Sequence, residues 1–306
     1  MKKSGMTATT NRQTSLIVSR IFRWYSRSAR DLPWRNEHDP YRILVSEVML
    51  QQTQVSRVVE KYPGFIAQFP GIGRLARARI STVIRAWKGM GYNSRAVRLH
   101  QLAWNVLRNH GGRIPTDIEA LRSLPGIGKY TAHAVSCFAF GQRVPVVDTN
   151  VERVLGRLFP SQARRLDIWD LASRVLPSRN ASRWNQALMD LGSTICTARN
   201  PKCGACPVAG LCPSSFKANR PPNVHLKAEP SRNGLPNRIY RGRIVELMRN
   251  LPPRKFMAVS QIGPRIKPAY SDRDERWLAE LLGRLEQDGL LTLGRSNSGL
   301  TASLRR

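Results

Sequence analysis

Apolar residues in the first two-thirds of the chain recur at intervals of three and four, the spacing that gives a helix one apolar face. Leu16, Ile17, Ile21, Phe22, Trp24 and Tyr25 begin the series, and the same period runs through residues 40–61, 74–87, 94–110, 116–123, 129–140, 148–158, 167–176 and 181–195. Pro63-Gly64, Gly111-Gly112 and Pro125-Gly126 punctuate it, because proline and glycine break helices. Short alternating runs are scarce, so the pattern predicts an all-α domain over residues 12–215. Residues 216–236 change character: Pro221, Pro222, Pro230, Gly234 and Pro236 interrupt a polar, basic stretch that reads as a linker. Over 237–306 the period returns at Ile244, Val245, Leu247 and Met248 and again at Trp277, Leu278, Leu281, Leu282 and Leu285. Leu290–Leu293 and Leu300–Leu304 then flank a Ser296-Asn297-Ser298-Gly299 turn and predict a hairpin. This last stretch reads as a small helical, winged-helix-like module or as a structural cap.

A length of 306 residues suffices for one large or two moderate domains. The opening Met1-Lys2-Lys3-Ser4-Gly5 is basic, but polar residues follow where a signal peptide needs an apolar stretch, so a cytoplasmic, nucleoid-associated protein is expected. Fifty Lys plus Arg against twenty Asp plus Glu give a formal charge of +30. Because the basic residues are spread along the whole chain, a nucleic acid fits better than an acidic membrane. An arginine-rich proteome of high G+C content would produce part of the same bias.

Chemistry concentrates in four cysteines, Cys196-x₆-Cys203-x₂-Cys206-x₅-Cys212. Thiolate sets of this density suit a tetrahedral zinc ion or an iron–sulfur cluster, and the spacing leaves both open. A pair of disulfides competes poorly in a chain without a secretory segment. A second signal is Leu124-Pro125-Gly126-Ile127-Gly128-Lys129 between two predicted helices. Its glycines allow a tight hairpin whose backbone N–H groups open a helix, a position that suits a phosphate oxygen. Pro70-Gly71-Ile72-Gly73 is a near copy that reads as an ordinary turn, with a second phosphate clamp as the alternative. Downstream of the hairpin, Asp148 follows an apolar run and opens another helix, as an N-cap or as a carboxylate held beside the clamp.

Leu124–Lys129, Asp148 and the cysteine quartet, in this order, resemble the endonuclease III superfamily of helix-hairpin-helix DNA glycosylases. Leu32-Pro33-Trp34-Arg35, Ser46-Glu47 through Val55, Gly89-Met90-Gly91-Tyr92 and Asn185–Gly192 are similar to the MutY-type adenine DNA glycosylases. The resemblance covers residues 12–215. It implies a two-lobed fold, a [4Fe–4S] cluster on Cys196, Cys203, Cys206 and Cys212 in the loop 196–212, and double-stranded DNA containing a mismatch as partner. It also implies a monomer whose product passes to abasic-site repair enzymes.

The same resemblance assigns roles. Glu47, among Val45, Val48, Met49 and Leu50, becomes the acid at adenine N7, where burial should keep a proton available. Asp148 becomes the carboxylate that stabilises an oxocarbenium-like sugar. Without the resemblance, Glu47 would read as an ion-paired helix residue. Gln51 and Gln52 resemble an intercalating pair and Tyr92 an aromatic wedge, while Trp34, Arg35 and Gln186 resemble residues around the adenine. Gly126, Gly128, Lys129, Tyr130 and Asn150 belong to the clamp and its flanks. Two departures stand out: Thr149 replaces a common glycine, and residues 237–306 are too few and too helical for the Nudix-like C-terminal domain that reads 8-oxoguanine in familiar relatives. A thymine or uracil mismatch glycosylase of the same superfamily, or a catalytically silent iron–sulfur DNA-binding protein, remains the alternative.

Bifunctional members of the superfamily carry a nucleophilic lysine just after the hairpin, where this chain has Tyr130. A helix turns about 100° per residue, so Lys129 should point away from the reaction and towards phosphate. The expected outcome is that borohydride traps no enzyme–DNA Schiff base on a duplex that is being deglycosylated.

Overall fold

The computed structural model describes residues 8–217, 229–252, 255–296 and 299–306. Pro221 and Pro222 of the expected linker, Asn297 and Ser298 of the expected turn, and the basic start Met1–Gly5 lie outside the described residues. The chain forms α1 (Ala8–Ser28), α2 (Pro40–Leu50), α3 (Val55–Gln68), α4 (Ile72–Ala76), α5 (Ile80–Ala86), α6 (Ser94–Asn109), α7 (Ile118–Ser123), α8 (Lys129–Phe140), α9 (Thr149–Leu158), α10 (Pro160–Ala163), α11 (Ile168–Val175) and α12 (Ala181–Thr194). Two single 3₁₀ turns, Cys203–Ala205 and Ala209–Leu211, follow α12. After them come β1 (Ser231–Arg232), β2 (Leu235–Pro236), α13 (Asn237–Arg249), β3 (Met257–Ala258), α14 (Val259–Ile266), α15 (Glu275–Gln287), β4 (Leu291–Ser296) and β5 (Gly299–Leu304).

Contacts divide the chain into two compact units, the first comprising 1–43, 116–122 and 127–224 and the second 44–115, 123–126 and 225–306. In the first unit, the apolar faces of α1, α8, α9, α11 and α12 share one core. Ile17, Ile21, Val151, Val154, Leu155, Trp184 and Leu188 are nearly or fully buried there, and the Phe22 ring meets the Trp184 edge at 6.1 Å. A buried Asn185 at a helical position inside this core is satisfied locally. Its amide oxygen accepts from Val146 N at 3.1 Å and its nitrogen donates to the Val144 carbonyl at 3.0 Å.

In the second unit Trp87 lies fully buried against Phe65, edge to face at 5.6 Å. The sequence pattern expects one helix over 40–61 and a break at Pro63-Gly64, and the structure differs on both points. The helix stops at Leu50, and Gln52 takes a left-handed backbone with φ 54° before α3 starts at Val55. Pro63 instead lies inside α3 on its exposed side, where the missing N–H costs least, while Tyr62 and Phe65 bury the opposite face.

The C-terminal stretch belongs to this second unit. Residues 231–236, read as linker, form the antiparallel pair β1–β2, so the disordered-looking composition there conceals a turn. Beyond it the order is α13, β3, α14, α15, β4, β5, with an antiparallel sheet in the order β3-β5-β4. The β4–β5 register runs from Leu291↔Leu304 to Ser296↔Gly299. Neither α14 nor the two-residue β3 is apparent in the pattern, because both are short and interrupted by polar residues and Pro264. Tyr240, Ile244, Met248, Leu278, Leu282 and Ala302 form the interior of this stretch, with Tyr240 and Trp277 edge to face at 4.9 Å.

It attaches to the rest of the unit through two arginines. Arg249, itself buried, donates to the Ile84 carbonyl at 3.0 Å and to Asn93 Oδ1 at 2.7 Å. Arg85 donates in return to the carbonyls of Arg249 and Leu251. Lys88 pairs with Glu246 at 2.9 Å on the exposed side, where an ion pair contributes little. Removing one partner of a buried charge-assisted bond leaves carbonyls unpaired at about 1–3 kcal/mol each. Arg249→Ala is therefore expected to destabilise the protein by about 2–4 kcal/mol and to expose α13 to limited proteolysis before the remaining helices are cut.

Candidate active site

In the first unit Asp148 caps α9. Its Oδ1 accepts from the backbone N–H groups of Asn150 at 3.0 Å and Val151 at 2.7 Å, and its Oδ2 accepts from Asn150 Nδ2 at 2.9 Å. The N-cap reading and the functional reading thus describe one geometry: the cap fixes the direction in which a half-buried carboxylate points. Asn150 is held in turn, because its Oδ1 accepts from Arg153 Nη2 at 2.7 Å. Arg153 extends the chain of bonds to the Gly192 carbonyl at 2.7 Å and, through Nε, to the Cys196 carbonyl at 2.8 Å.

Gly192 is what lets α12 approach this closely. A Cβ there would stand 2.6 Å from Asn150 Cβ and 3.1 Å from the Asn150 carbonyl oxygen. Arg153 is not singled out in the sequence, and Gly192 enters only as the last residue of the Asn185–Gly192 run, with no partner assigned to it. Nothing about an arginine on a helix or a glycine near a helix end announces a spatial partner.

The remaining expected residues of this unit fall in two places. Arg35 and Gln186 meet through Tyr25, whose hydroxyl donates to Gln186 Oε1 at 3.0 Å and accepts from Arg35 Nη1 at 3.0 Å. Arg35 and Arg30 also converge on Asp190, a carboxylate with no exposure. Burial raises the Tyr25 hydroxyl above its usual range, with Arg35 opposing and Asp190 adding, so it remains a donor at neutral pH. Trp34 is buried. Elsewhere, Lys129 is exposed at the start of α8 and its Nζ stands 4.2 Å from the Trp169 ring centroid, while Tyr130 packs against the core. Gly128 caps α8 without a side-chain bond, and Gly126 has φ 80°. Its near copy behaves differently: Gly71 has an extended φ of −157° ahead of the short α4.

In the second unit Glu47 is 4% exposed on α2, with Val45, Val48 and Met49 also buried. Gln51 is half-buried and Gln52 exposed in the turn that follows. Tyr92 is 50% exposed with φ 40°, a second non-glycine residue in the left-handed region. Such conformations cost about 1–3 kcal/mol each and persist only where the surroundings impose them. Here the imposing group is Arg95, which the sequence pattern had hidden in an apolar helix face. It is buried and donates to the carbonyls of Val48, Met49, Met90 and Gly91 and to Thr53 Oγ1, all within 3.1 Å. Burial lowers its pKa to about 10, still charged at neutral pH, and its guanidinium lies over the rings of Trp87 and Tyr92. One cation therefore ties the end of the Glu47 helix, the Gln52 turn and the Tyr92 turn together.

The cysteines follow α12 in one loop. Arg157 Nη1 approaches Cys196 Sγ at 3.3 Å and its guanidinium also bonds the Thr197 and Ala198 carbonyls, while Phe216 N donates to Cys203 Sγ at 3.5 Å. No disulfide links the cysteines.

Residues 45–168 match the HhH-GPD superfamily base excision DNA repair protein family, and residues 196–212 match the iron–sulfur binding domain of endonuclease III. An adenine DNA glycosylase of Mycobacterium tuberculosis (strain ATCC 25618 / H37Rv) is 43% identical over 242 residues, covering 75% of this chain and 77% of its own. The chain belongs to the adenine DNA glycosylase family. A thymine/uracil-DNA glycosylase of Methanothermobacter thermautotrophicus is 35% identical over 209 residues, covering 66% of this chain and 95% of its own. The solved structure of a thermostable thymine-DNA glycosylase, also 35% identical, superposes with a TM-score of 0.64 and covers 67% of this chain and 97% of its own.

Family membership settles the cofactor as an iron–sulfur cluster, in agreement with the expected [4Fe–4S] centre, and the loop suits it chemically. Burial pushes the Cys206 thiol up to about 11, and the sulfurs of Cys196, Cys212 and Cys203 add to the rise. Four sulfurs that close need bound cations before all can be thiolates, and the iron atoms supply that charge. Among the described residues, no group of three or more His, Cys, Asp or Glu side chains is placed to hold a single metal ion. The cluster would organise the loop and, through the Cys196 carbonyl, the Arg153 end of the bonds that reach Asp148. Gly192→Ala should force Asn150 aside: the expected outcome is a fall in single-turnover rate of at least tenfold at full iron content, with DNA affinity within threefold of the parent.

Proposed function

We propose that this chain removes adenine mispaired with guanine or 8-oxoguanine by hydrolysing its N-glycosidic bond, leaving an abasic site. The observation that carries the reading is a buried Glu47 carboxyl one turn before the strained Gln52, in a chain 43% identical to a relative named for adenine excision. An apolar environment favours the neutral carboxyl, so Glu47 enters the reaction with its proton. It delivers that proton to adenine N7 as the C1′–N9 bond breaks and the bonding electrons pass to the purine. Asp148, held by three donors, faces its carboxyl group towards the cationic sugar and stabilises it until water adds at C1′ and passes a proton to solvent.

Other residues take supporting parts. A base must leave the stack before it can react, and Gln51, Gln52 and Tyr92 are suited to fill the gap. Trp34 and Gln186 contact the displaced adenine, with Arg35 and Tyr25 orienting Gln186. The first N–H groups of α8, preceded by Gly126 and Gly128, receive a backbone phosphate, and Lys129 adds charge beside them. Tyr130 in place of a lysine leaves the sugar without an amine nucleophile, so strand cleavage falls to a separate abasic-site enzyme. A second reading, excision of thymine or uracil from mispairs with guanine, draws support from the 35% identity to proteins named for that activity.

The deciding assay gives the iron-loaded protein labelled duplexes with A:G, A:8-oxoguanine, T:G and U:G, followed by alkali. The expected result is cleavage at adenine only, reduced at least 10³-fold by Glu47→Gln and at least 10²-fold by Asp148→Asn, with binding retained. Release of thymine or uracil alone would replace the adenine reading with the second one.

A further inference from the structure

Residues 61–116 contain ten Lys plus Arg and no Asp or Glu. An arginine-rich proteome adds cations but does not remove carboxylates, so this stretch points to an anionic ligand in its own right. Part of it forms α4 and α5 of the second unit, where two hollows adjoin, of about 380 Å³ and about 400 Å³, with Arg79 and Thr82 in the lining of both. Arg74 and Arg77 border the smaller hollow, Lys255 and Arg306 the larger, and no Asp or Glu lines either. Arg74, Arg77, Arg79 and Lys255 are exposed, and among the described residues no carboxylate pairs with them. Like charges gathered in this way repel one another, and a bound anion relieves the repulsion.

The larger hollow is not merely basic. Met248, Leu251, Pro252 and Leu304 give it an apolar lining, and Ser81 and Thr82 add hydroxyls. Arg85 bonds the carbonyls of Arg249 and Leu251 and so fixes that lining against α5. None of Glu47, Gln51, Gln52, Tyr92 or Lys129 lines either hollow.

We infer that the two hollows together bind a free nucleotide of the nucleoside triphosphate class, at a site separate from the one that handles the mispair. The base lies on the apolar lining, the hydroxyls of Ser81 and Thr82 face the sugar, and the phosphates run past Arg79 towards Arg74 and Arg77. Each hollow has the size of a small-ligand site. A DNA duplex is a poorer fit, because it offers phosphates to the rim but keeps its bases stacked inside, which leaves the apolar lining uncovered. A ligand in both hollows touches α5 and the segment after α13 at once. It therefore strengthens the attachment made by Arg85 and Arg249.

Titration calorimetry on the iron-loaded protein, in magnesium-free buffer, compares ATP, adenosine and inorganic tripolyphosphate. The expected result is one site for ATP, at least tenfold tighter than for adenosine or tripolyphosphate, since each of these lacks part of the contacts. Arg79→Gln, an exposed change that should leave the melting temperature in place, is expected to weaken ATP at least tenfold. Its affinity for a mismatched duplex and its rate of adenine release should stay within twofold of the parent. Lys129→Gln, at the phosphate clamp, should leave ATP binding within twofold. Saturating ATP should slow limited proteolysis of α13 at least threefold in the parent and not in Arg79→Gln. Tripolyphosphate binding as tightly as ATP would reduce the site to a general anion patch and overturn the inference, as would equal ATP binding by Arg79→Gln and the parent. Loss of ATP binding in Lys129→Gln, or its displacement by a stoichiometric short duplex, would place the nucleotide in the DNA site and overturn it too. Absence of adenine release by the parent would sink the excision reading, while the ATP titrations would still decide this site.

Discussion

The position of Asp148 depends on a run of hydrogen bonds that begins at its own carboxylate and ends at the first cluster cysteine. Asn150 bonds Asp148, Arg153 bonds Asn150, and the same guanidinium grips the carbonyls of Gly192 and Cys196. Each link is short-range, yet together they connect the start of α9 to the end of α12 and the loop beyond. An N-cap alone would orient the carboxylate relative to its own helix. The added links orient that helix start relative to the iron–sulfur loop, so the direction of the carboxylate is tied to a segment well beyond its own helix.

In the other unit the same task is performed by burying a cation. Arg95 has all its donors directed at backbone carbonyls and one hydroxyl, and no carboxylate shares its position. Desolvating a guanidinium is costly, and the cost is offset by five acceptors and two aromatic faces. That arrangement allows two turns to hold left-handed residues that would otherwise relax. Each unit therefore ties its turn and helix ends together through one arginine, Arg153 half-buried in the first and Arg95 buried in the second.

Much of this was legible before any coordinates. Helical periodicity located most elements of residues 12–215, and spacing marked the cysteine loop because thiolate ligands must be close in sequence to share one loop. Where reading failed, the reason was tertiary. Pro63 reads as a break, but an exposed helix face tolerates it. Residues 231–236 read as linker because two-residue strands leave no period. Arg95, Arg153 and Gly192 carry structure through partners far away in sequence, and no local pattern encodes a partner at that distance. Arg35 reads as a residue of the base pocket, and its bonds to Asp190 and Tyr25, which join it to Gln186, have no signature in the sequence.

The joint that carries α13 has a property of its own. Arg85 and Arg249 grip main-chain carbonyls of residues 249, 251 and 84, and Arg249 also bonds the side chains of Asn93 and Glu246. A joint built mainly on main-chain atoms records few of the side chains that surround it. The exposed residues of α13 are consequently free to vary while the helix keeps its place. In evolutionary terms the exposed face of α13 can drift without the attachment being redesigned.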